Sequence, residues 1–378
     1  MWLPLALAAA AFSLLVWLYG VLGVFRSLSA MREWPLCARK GRSVSVIIAA
    51  RDEERRLPAL LDSLLEAGPR LLEVIVVDDR SGDNTPQVVE EYARRDPRVR
   101  LVRSPGPPPG WAGKSYALHL GAKTARGGVL LFLDADTRPA SGEALVAAAA
   151  ELAEPRRIAA FVPRFLCRGW LCRAAEAYMT GVAHGFYGFH RVRSPRDSLA
   201  WMYGCCWAIL RDDYWRLGGH EAVRSSIVED RDFAAHAKAK GYTIEPIDAR
   251  EWVGVESYET LAGYASLIAR LSADKAAASS PLGWAAYVAR TAVIHLAPSL
   301  LLPAGLAAGQ PALAATAAAA LAAQTLLYTL GAWVNLDSPI YGPLGHIALP
   351  AVLRGLAAAW KGATWRGRSY TRCPRDSN

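Results

Sequence analysis

The chain is 378 residues long, 53% hydrophobic and only 20% charged, with a mean hydropathy of +0.14. Soluble domains usually carry about 25% charged residues, so this composition leans toward a membrane and excludes disorder, collagen and long coiled coils. With 43 Lys and Arg against 34 Asp and Glu, the formal charge is +9, which suits phosphate groups or anionic lipid headgroups.

Residues 2–25 contain no charged side chain, and that run exceeds the roughly 20 residues needed to cross a bilayer. A signal peptide would have a shorter apolar stretch with basic residues in front of it. Here the cations follow, as Arg26, Arg32, Arg39, Lys40 and Arg42. The positive-inside rule then predicts an N-terminal transmembrane anchor over 1–26 and a cytoplasmic domain after it, over 43–285.

That domain opens with Ser43–Ala50, a β-branched run of the kind found in strands buried on both faces. Glu53–Glu66 has helical spacing of its leucines, and Leu72–Val77 is a second buried strand ending at Asp78-Asp79-Arg80-Ser81. Thr85–Arg95 reads as a helix with Thr85 as N-cap and Pro86 at its first position. Val99–Arg103 is a short strand, followed by a proline-rich loop and a helix from about Ser115. Strand Val129–Leu133 ends at Asp134-Ala135-Asp136. This alternation predicts an α/β fold with a mostly parallel sheet covered by helices. Such sheets bind ligands beyond the carboxyl ends of their strands, where both acidic clusters fall.

Beyond the domain, Thr291–Leu336 carries no charge and is broken by Gly309-Gln310-Pro311. It reads as a transmembrane hairpin with spans at about 291–308 and 312–334. Residues 340–360 are apolar but carry Pro343, Pro350 and Arg354, and 361–378 is a basic tail with Lys361, Arg366, Arg368, Arg372 and Arg375. A third C-terminal span would put that tail outside, so 340–360 is read as a re-entrant or interfacial helix. The C-terminal membrane region is thus 286–360, the tail is cytoplasmic, and the chain is a multi-pass protein of the cell membrane.

No G-x-G-x-x-G follows the first strand and no G-x-x-x-x-G-K-[ST] occurs, so dinucleotide and P-loop readings fall away. Six cysteines without C-x-x-C spacing argue against a disulfide framework or structural zinc, and Cys205–Cys206 reads as two buried thiols. The chemistry rests on three acidic sites. Asp134 and Asp136 stand on one side of a strand end, as hard oxygen ligands for Mg²⁺ or Mn²⁺ whose other ligands would come from a diphosphate and water. Asp78-Asp79 also reads as a capped turn with Ser81 and Asp83, and Glu229-Asp230 as an acid pair at a helix N-terminus.

Together these sites, with Lys114 between the first two, resemble the family 2 glycosyltransferases of GT-A fold. The matching stretches are Val46–Glu53, Val76–Ser81, Gly113-Lys114, Asp134-Ala135-Asp136 and Val228–Asp232, within about 43–250. Gly110–Lys114, Gly218–Val223 and Trp365–Arg368 are similar to the membrane-anchored branch associated with hopanoid and carotenoid glycosylation. The resemblance implies that Ala49, Arg51 and Glu53 line the nucleotide, with Glu53 at the ribose. It implies that Asp79, beside Asp78, meets the base and that Lys114 lies near the base or diphosphate. Asp136 would ligate the metal, Asp134 would lie by the sugar or ribose and share the metal, and Asp230, beside Glu229, would be the catalytic base. Asp52 stands where the family often has Asn, and Ala49 where it often has Pro. No Q-x-x-R-W follows Asp230, unlike in processive polysaccharide synthases.

Other prominent residues receive plainer readings. His184, His190, His220 and His236 have no metal-ligand spacing; His220, in a Gly-Gly turn ten residues before Asp230, reads equally as an acceptor contact or a cap. Trp201, Tyr203, Trp207, Tyr214 and Trp215 are expected in the core and cleft wall. Arg164, Arg168, Arg173, Arg191, Arg193 and Arg196 form a diffuse stretch suited to headgroups, and no nucleic-acid module is present. The expected function is inverting transfer of a sugar from a nucleotide-sugar donor to a membrane lipid of terpenoid, isoprenoid or glycolipid type. Polyprenyl-phosphate glycosyl transfer is the alternative. A processive synthase or a non-catalytic nucleotide-sugar-binding membrane protein ranks below both.

Overall fold

The structure is a computed structural model describing residues 2–34, 41–365 and 368–370. Arg39, Lys40, Arg366, Arg372 and Arg375 lie outside the described residues. The chain forms two compact units, one of Ser29–Leu166 with Phe189–Glu256, the other of the residues up to Leu28, Cys167–Gly188 and the chain from Ser257 onward.

Among its described residues the first unit holds ten strands: β1 Val44–Ala50, β2 Leu71–Asp78, β3 Val99–Arg103, β4 Val129–Asp134, β5 Thr137–Pro139, β6 Arg157–Val162, β7 Arg164–Leu166, β8 Cys206–Leu210, β9 Thr243–Asp248 and β10 Val253–Glu256. Seven of them make one sheet in the order β3-β2-β1-β4-β8-β6-β9, with only β8 antiparallel to its neighbours, and β5-β10-β7 make a second. The mostly parallel sheet expected from the sequence is present. Alternation along β1 sends Val44, Val46, Ile48 and Ala50 into one core, shared with the helices Leu57–Leu65 and Gly142–Leu152. Ile47 points into the other, shared with the helix Gly113–Thr124. Register then aligns the strand ends: Ala50 pairs with Asp78, and Ala49 pairs with Asp134.

Two helix starts in this unit differ from the sequence reading. The helix expected from Glu53 begins at Leu57, because Asp52 takes a positive φ of 56° and the next two N–H groups bond elsewhere. Glu53 donates to Thr85 Oγ1 and Glu54 to Asp83 Oδ2. Thr85 is therefore a brace for that turn, and Asn84 occupies the N-cap position of the helix Thr85–Arg95.

The second unit is mainly helical, with a short antiparallel pair of strands, Ala363–Trp365 and Arg368–Tyr370. Trp2–Ser29, Pro281–Ala307 and Pro311–Val334 are long and apolar enough to cross a membrane. The second of these starts ten residues before Thr291, where Ser280 caps it by accepting from the Gly283 N–H at 3.1 Å. Residues 341–359 fold as the short helix Tyr341–Leu344, a 3-10 turn and the helix Leu349–Ala359. The helix Trp170–Phe186 packs among the apolar helices backbone to backbone. A Cβ added at Gly23 would lie 1.9 Å from the Gly185 carbonyl oxygen, and one at Gly331 2.0 Å from that of Ala177, the small-residue packing typical of helices in lipid. Cys167 and Cys172 are joined in a disulfide, with Cα atoms 5.5 Å apart where the chain turns into this helix. Cysteine spacing along the sequence gives no sign of that pairing. Cys205 and Cys206 are buried free thiols, as expected.

Candidate active site

Lys114, the second residue of its helix, places its ammonium 2.7 Å from Asp134 Oδ1 and 2.8 Å from Glu229 Oε1. Asp134 ends β4 and Glu229 begins the helix Glu229–Ala239. One cation thus joins two acidic sites that lie 95 positions apart in the chain. Burial works against the charge on Lys114, but Asp134, Glu229 and Asp230 hold its pKa well above the ordinary range. Burial likewise opposes the charge on Glu229, and Lys114 outweighs it, keeping that carboxyl below its usual value.

Asp230, beside it, moves the other way. Burial first, and then the Glu229 charge, push it up to about 6, with Lys114 offsetting part of the rise. Its Oδ1 accepts from the Arg231 N–H at 2.7 Å. A glycine leaves room for the carboxylate: a Cβ at Gly204 would stand 2.5 Å from Asp230 Oδ2. A carboxylate poised to change protonation near neutral pH suits general-base work.

Asp136 lies between β4 and β5, where its carbonyl accepts from the Glu256 N–H at 3.1 Å. Burial and the Asp134 charge push its carboxyl up to about 7, against the pull of Arg56. Its Oδ1 is buried and has no hydrogen-bond partner among the described residues. No group of three or more His, Cys, Asp or Glu side chains is arranged to hold a metal among the described residues. An orphaned carboxylate oxygen next to a second aspartate nevertheless fits a hard divalent cation that draws its remaining ligands from phosphate and water.

Around Asp136 runs an ion-pair chain that the sequence reading missed. Arg56 reaches Glu53 at 3.2 Å and Glu256 at 3.0 Å, and Glu256 binds Arg138 at 2.8 Å. The i,i+3 spacing of Glu53 and Arg56 was a local clue; Glu256 lies 200 residues from Arg56 and gave none. The residues expected at the nucleotide sit along the same row of strand ends. Ala49 and Arg51 flank the end of β1, and Asp79 donates its N–H to the Ala50 carbonyl at 2.8 Å. Asp78 caps its own turn, accepting from the Ser81 N–H at 3.1 Å, as the plainer reading had it. His236 bonds the Leu217 carbonyl oxygen at 2.9 Å, and His184 lies 3.1 Å from Ser27 Oγ. Trp207 and Tyr214 are core residues, while Trp215 is exposed. A concavity of about 540 Å³ lined by His119, Lys123, Arg211 and Trp215 opens elsewhere in this unit; of the residues singled out in the sequence it takes in Trp215, and none of the expected catalytic, nucleotide or metal residues.

Comparison with known proteins bears on this geometry. Residues 45–218 match the family model for glycosyl transferase family 2. The chain is 29% identical over 230 residues to a 4,4'-diaponeurosporenoate glycosyltransferase of Staphylococcus haemolyticus, covering 60% of this chain and 59% of that protein. It is 37% identical over 101 residues to a dolichyl-phosphate beta-glucosyltransferase of Trichomonas vaginalis, covering 25% of this chain and 30% of the relative. These curated relatives are thus matched over less than two thirds of their own length, 59% and 30%. A mannosyltransferase from Pyrobaculum calidifontis, solved with GDP-Man and Mn²⁺, superposes with a TM-score of 0.55 at 22% identity, covering 93% of this chain and 97% of that one. The likeness shows the fold to be GT-A-like.

Proposed function

We propose, from the premise that this chain carries a family 2 glycosyltransferase domain, that it transfers a sugar from a nucleotide-sugar donor to a membrane lipid with inversion at the anomeric carbon. The observation that carries this reading is the Lys114 ammonium shared by Asp134 and Glu229. It draws the D-x-D strand end and the Glu229-Asp230 pair into one site. Asp230 then takes the proton of the acceptor hydroxyl as its oxygen attacks the anomeric carbon and the nucleoside diphosphate leaves from the opposite side. Glu229 and Lys114 hold that base in place and set its charge. Ala49, Arg51, Glu53, Asp78 and Asp79 line the nucleotide.

Asp136 and Asp134 would hold Mg²⁺ or Mn²⁺, which when bound neutralises charge on the leaving diphosphate. Three apolar helices support membrane attachment. We assign 1–26 as an anchor, 43–285 as a cytoplasmic catalytic segment, 286–360 as the C-terminal membrane region and 361–378 as a cytoplasmic tail. The similarity to a carotenoid glycosyltransferase favours a terpenoid acceptor. The dolichyl-phosphate relative favours the second reading, a polyprenyl phosphate that arrives already ionised.

Lipid mass spectrometry of cells with and without the protein, beside an assay of the purified protein with nucleotide sugars, Mn²⁺ and a native lipid extract, tests both. A glycosylated lipid present only with the protein supports transfer and identifies the acceptor. No Mn²⁺-dependent turnover of any nucleotide sugar, with no change in lipids, would refute it.

A further inference from the structure

His220 is completely buried, in the 3-10 turn Gly219–Val223, with Phe132, Trp207, Tyr214 and Phe233 around its ring. Two glycines with positive φ, Gly218 at 83° and Gly219 at 55°, shape the approach. A Cβ at Gly219 would strike the Tyr214 ring at 2.7 Å. The same tyrosine fixes the imidazole. Its hydroxyl oxygen accepts from the His220 backbone N–H at 3.0 Å and lies 2.8 Å from Nδ1. Donation of the phenol hydrogen to Nδ1, which uses both of these partners, makes Nδ1 the acceptor and leaves the ring proton on Nε2; this tautomer is part of the inference drawn below. Burial keeps the ring neutral, with its pKa down at about 3.

This arrangement leaves one polar group unaccounted for. The Nε2–H is buried and has no hydrogen-bond partner among the described residues, a costly condition that folded proteins rarely tolerate without a purpose. The turn packs against both helices that supply the proposed site, Gly113–Thr124 with Lys114 and Glu229–Ala239 with Glu229. The charged groups that act on the ring are Glu229 and Lys114, with His119 beyond them. Of these, only the carboxylate of Glu229 can accept a hydrogen bond from Nε2–H while Lys114 occupies its Oε1.

We propose that His220 is a positioning residue whose Nε2–H binds the Glu229 carboxylate through one bridging water. This bridge locks Glu229 in the orientation in which it shares Lys114 with Asp134. Tyr214 acts one step further back, by choosing the tautomer. A bridging water suits a polar gap between a buried donor and a buried charge. The chain of order runs Tyr214, His220, water, Glu229, Lys114, Asp134. The proposal rests on the glycosyltransferase reading only for what the positioning is used for; the hydrogen-bond chain itself does not depend on it.

The test uses the full-length protein in detergent with ¹⁵N-labelled histidine. Expected is an Nε2–H tautomer for His220 with a slowly exchanging proton, whose resonance shifts in Glu229→Gln and is unmoved in Asp78→Asn. An Nδ1–H tautomer, or a resonance unmoved by Glu229→Gln, would overturn the proposal. Neither measurement requires His220 to be replaced or the enzyme to turn over. Turnover gives the second arm. His220→Phe should lower kcat by about 10- to 100-fold, the range for losing a hydrogen bond to a charged group, with KM for the donor little changed. His220→Gln, which retains an amide donor at the Nε2 position, should recover most of the rate. Equal losses in both variants, or a loss confined to KM, would overturn it. If the wild-type protein turns over no nucleotide sugar, the functional reading falls, while the resonance test still decides the hydrogen-bond chain.

Discussion

Replacing Asp230 by Asn should make the protein more stable and nearly inactive. The structure raises the Asp230 carboxyl from its ordinary 3.8 to about 6 by burial and by the Glu229 charge. A folded-state pKa above the unfolded one means that the folded protein disfavours the ionised form. That penalty is absent below about pH 4, grows as pH rises toward 6 and is constant above it. The rise corresponds to at most about 3 kcal/mol, and solvent reaching a half-buried group reduces it to about 1–2 kcal/mol. Asn removes the penalty and keeps an oxygen for the Arg231 N–H, which now sits at 2.7 Å. Loss of the base should lower turnover by about 10²- to 10⁴-fold with a hydroxyl acceptor, while donor binding stays. In the wild type kcat/KM should fall as pH drops through about 6, where Asp230 takes up its proton. Thermal unfolding at pH 7.5, donor calorimetry and a pH–rate profile at saturating Mn²⁺ measure all three. Unchanged or lower stability together with near-wild-type turnover would refute the role and favour an acceptor that arrives ionised.

Gly204→Ala should cut turnover without weakening donor binding, because the new Cβ would stand 2.5 Å from Asp230 Oδ2 and push the carboxylate aside; steady-state kinetics beside donor calorimetry reads this. Lys114→Met leaves Glu229 buried without its cation, and should cost about 3–5 kcal/mol in chemical denaturation as well as activity. Asp136→Ala should abolish the Mn²⁺ dependence of nucleotide-sugar binding while the fold survives, since a carboxylate oxygen without a protein partner contributes little to stability; calorimetry with and without Mn²⁺ checks it. A cysteine introduced near Asn378 should be labelled only from the cytoplasmic side; labelling from outside alone would make 340–360 a true span.

The first half of the sheet could be read from the sequence because parallel strands buried on both faces are continuous apolar runs. Val99–Arg103 was located to the residue, and β1, β2 and β4 to within one or two positions at each end. Acids at the ends of β2 and β4 then had to lie on the ligand side of the sheet. Past Asp136 the signal faded. The antiparallel strand Cys206–Leu210 lies in an aromatic-rich stretch whose pattern reads only as core. Contacts closed by tertiary structure were also hidden. Glu256 meets Arg56 and Arg138 only because β10 pairs with β5, and Lys114 meets Glu229 only because two helix N-termini converge. Tyr214 and His220 are six residues apart, yet the contact between hydroxyl and ring depends on a turn with two left-handed glycines.

The helix Trp170–Phe186 is encoded between β7 and β8, in the middle of the proposed catalytic sequence, but its neighbours are the apolar helices. Gly185 rests against Gly20 and Gly23 of the first helix, Phe186 against Trp17 at 6.0 Å, and Gly181 against Leu327 and Gly331. Cutting away the first 28 residues would therefore not release a soluble enzyme, since it would strip one wall from a helix that the remaining chain cannot discard. On the assignment proposed above, anchor and catalyst are not separable by a single cut, nor exchangeable as cassettes between related proteins. A change of membrane attachment must be accompanied by compensating changes at residues 177–186, so the two parts are expected to drift together in sequence.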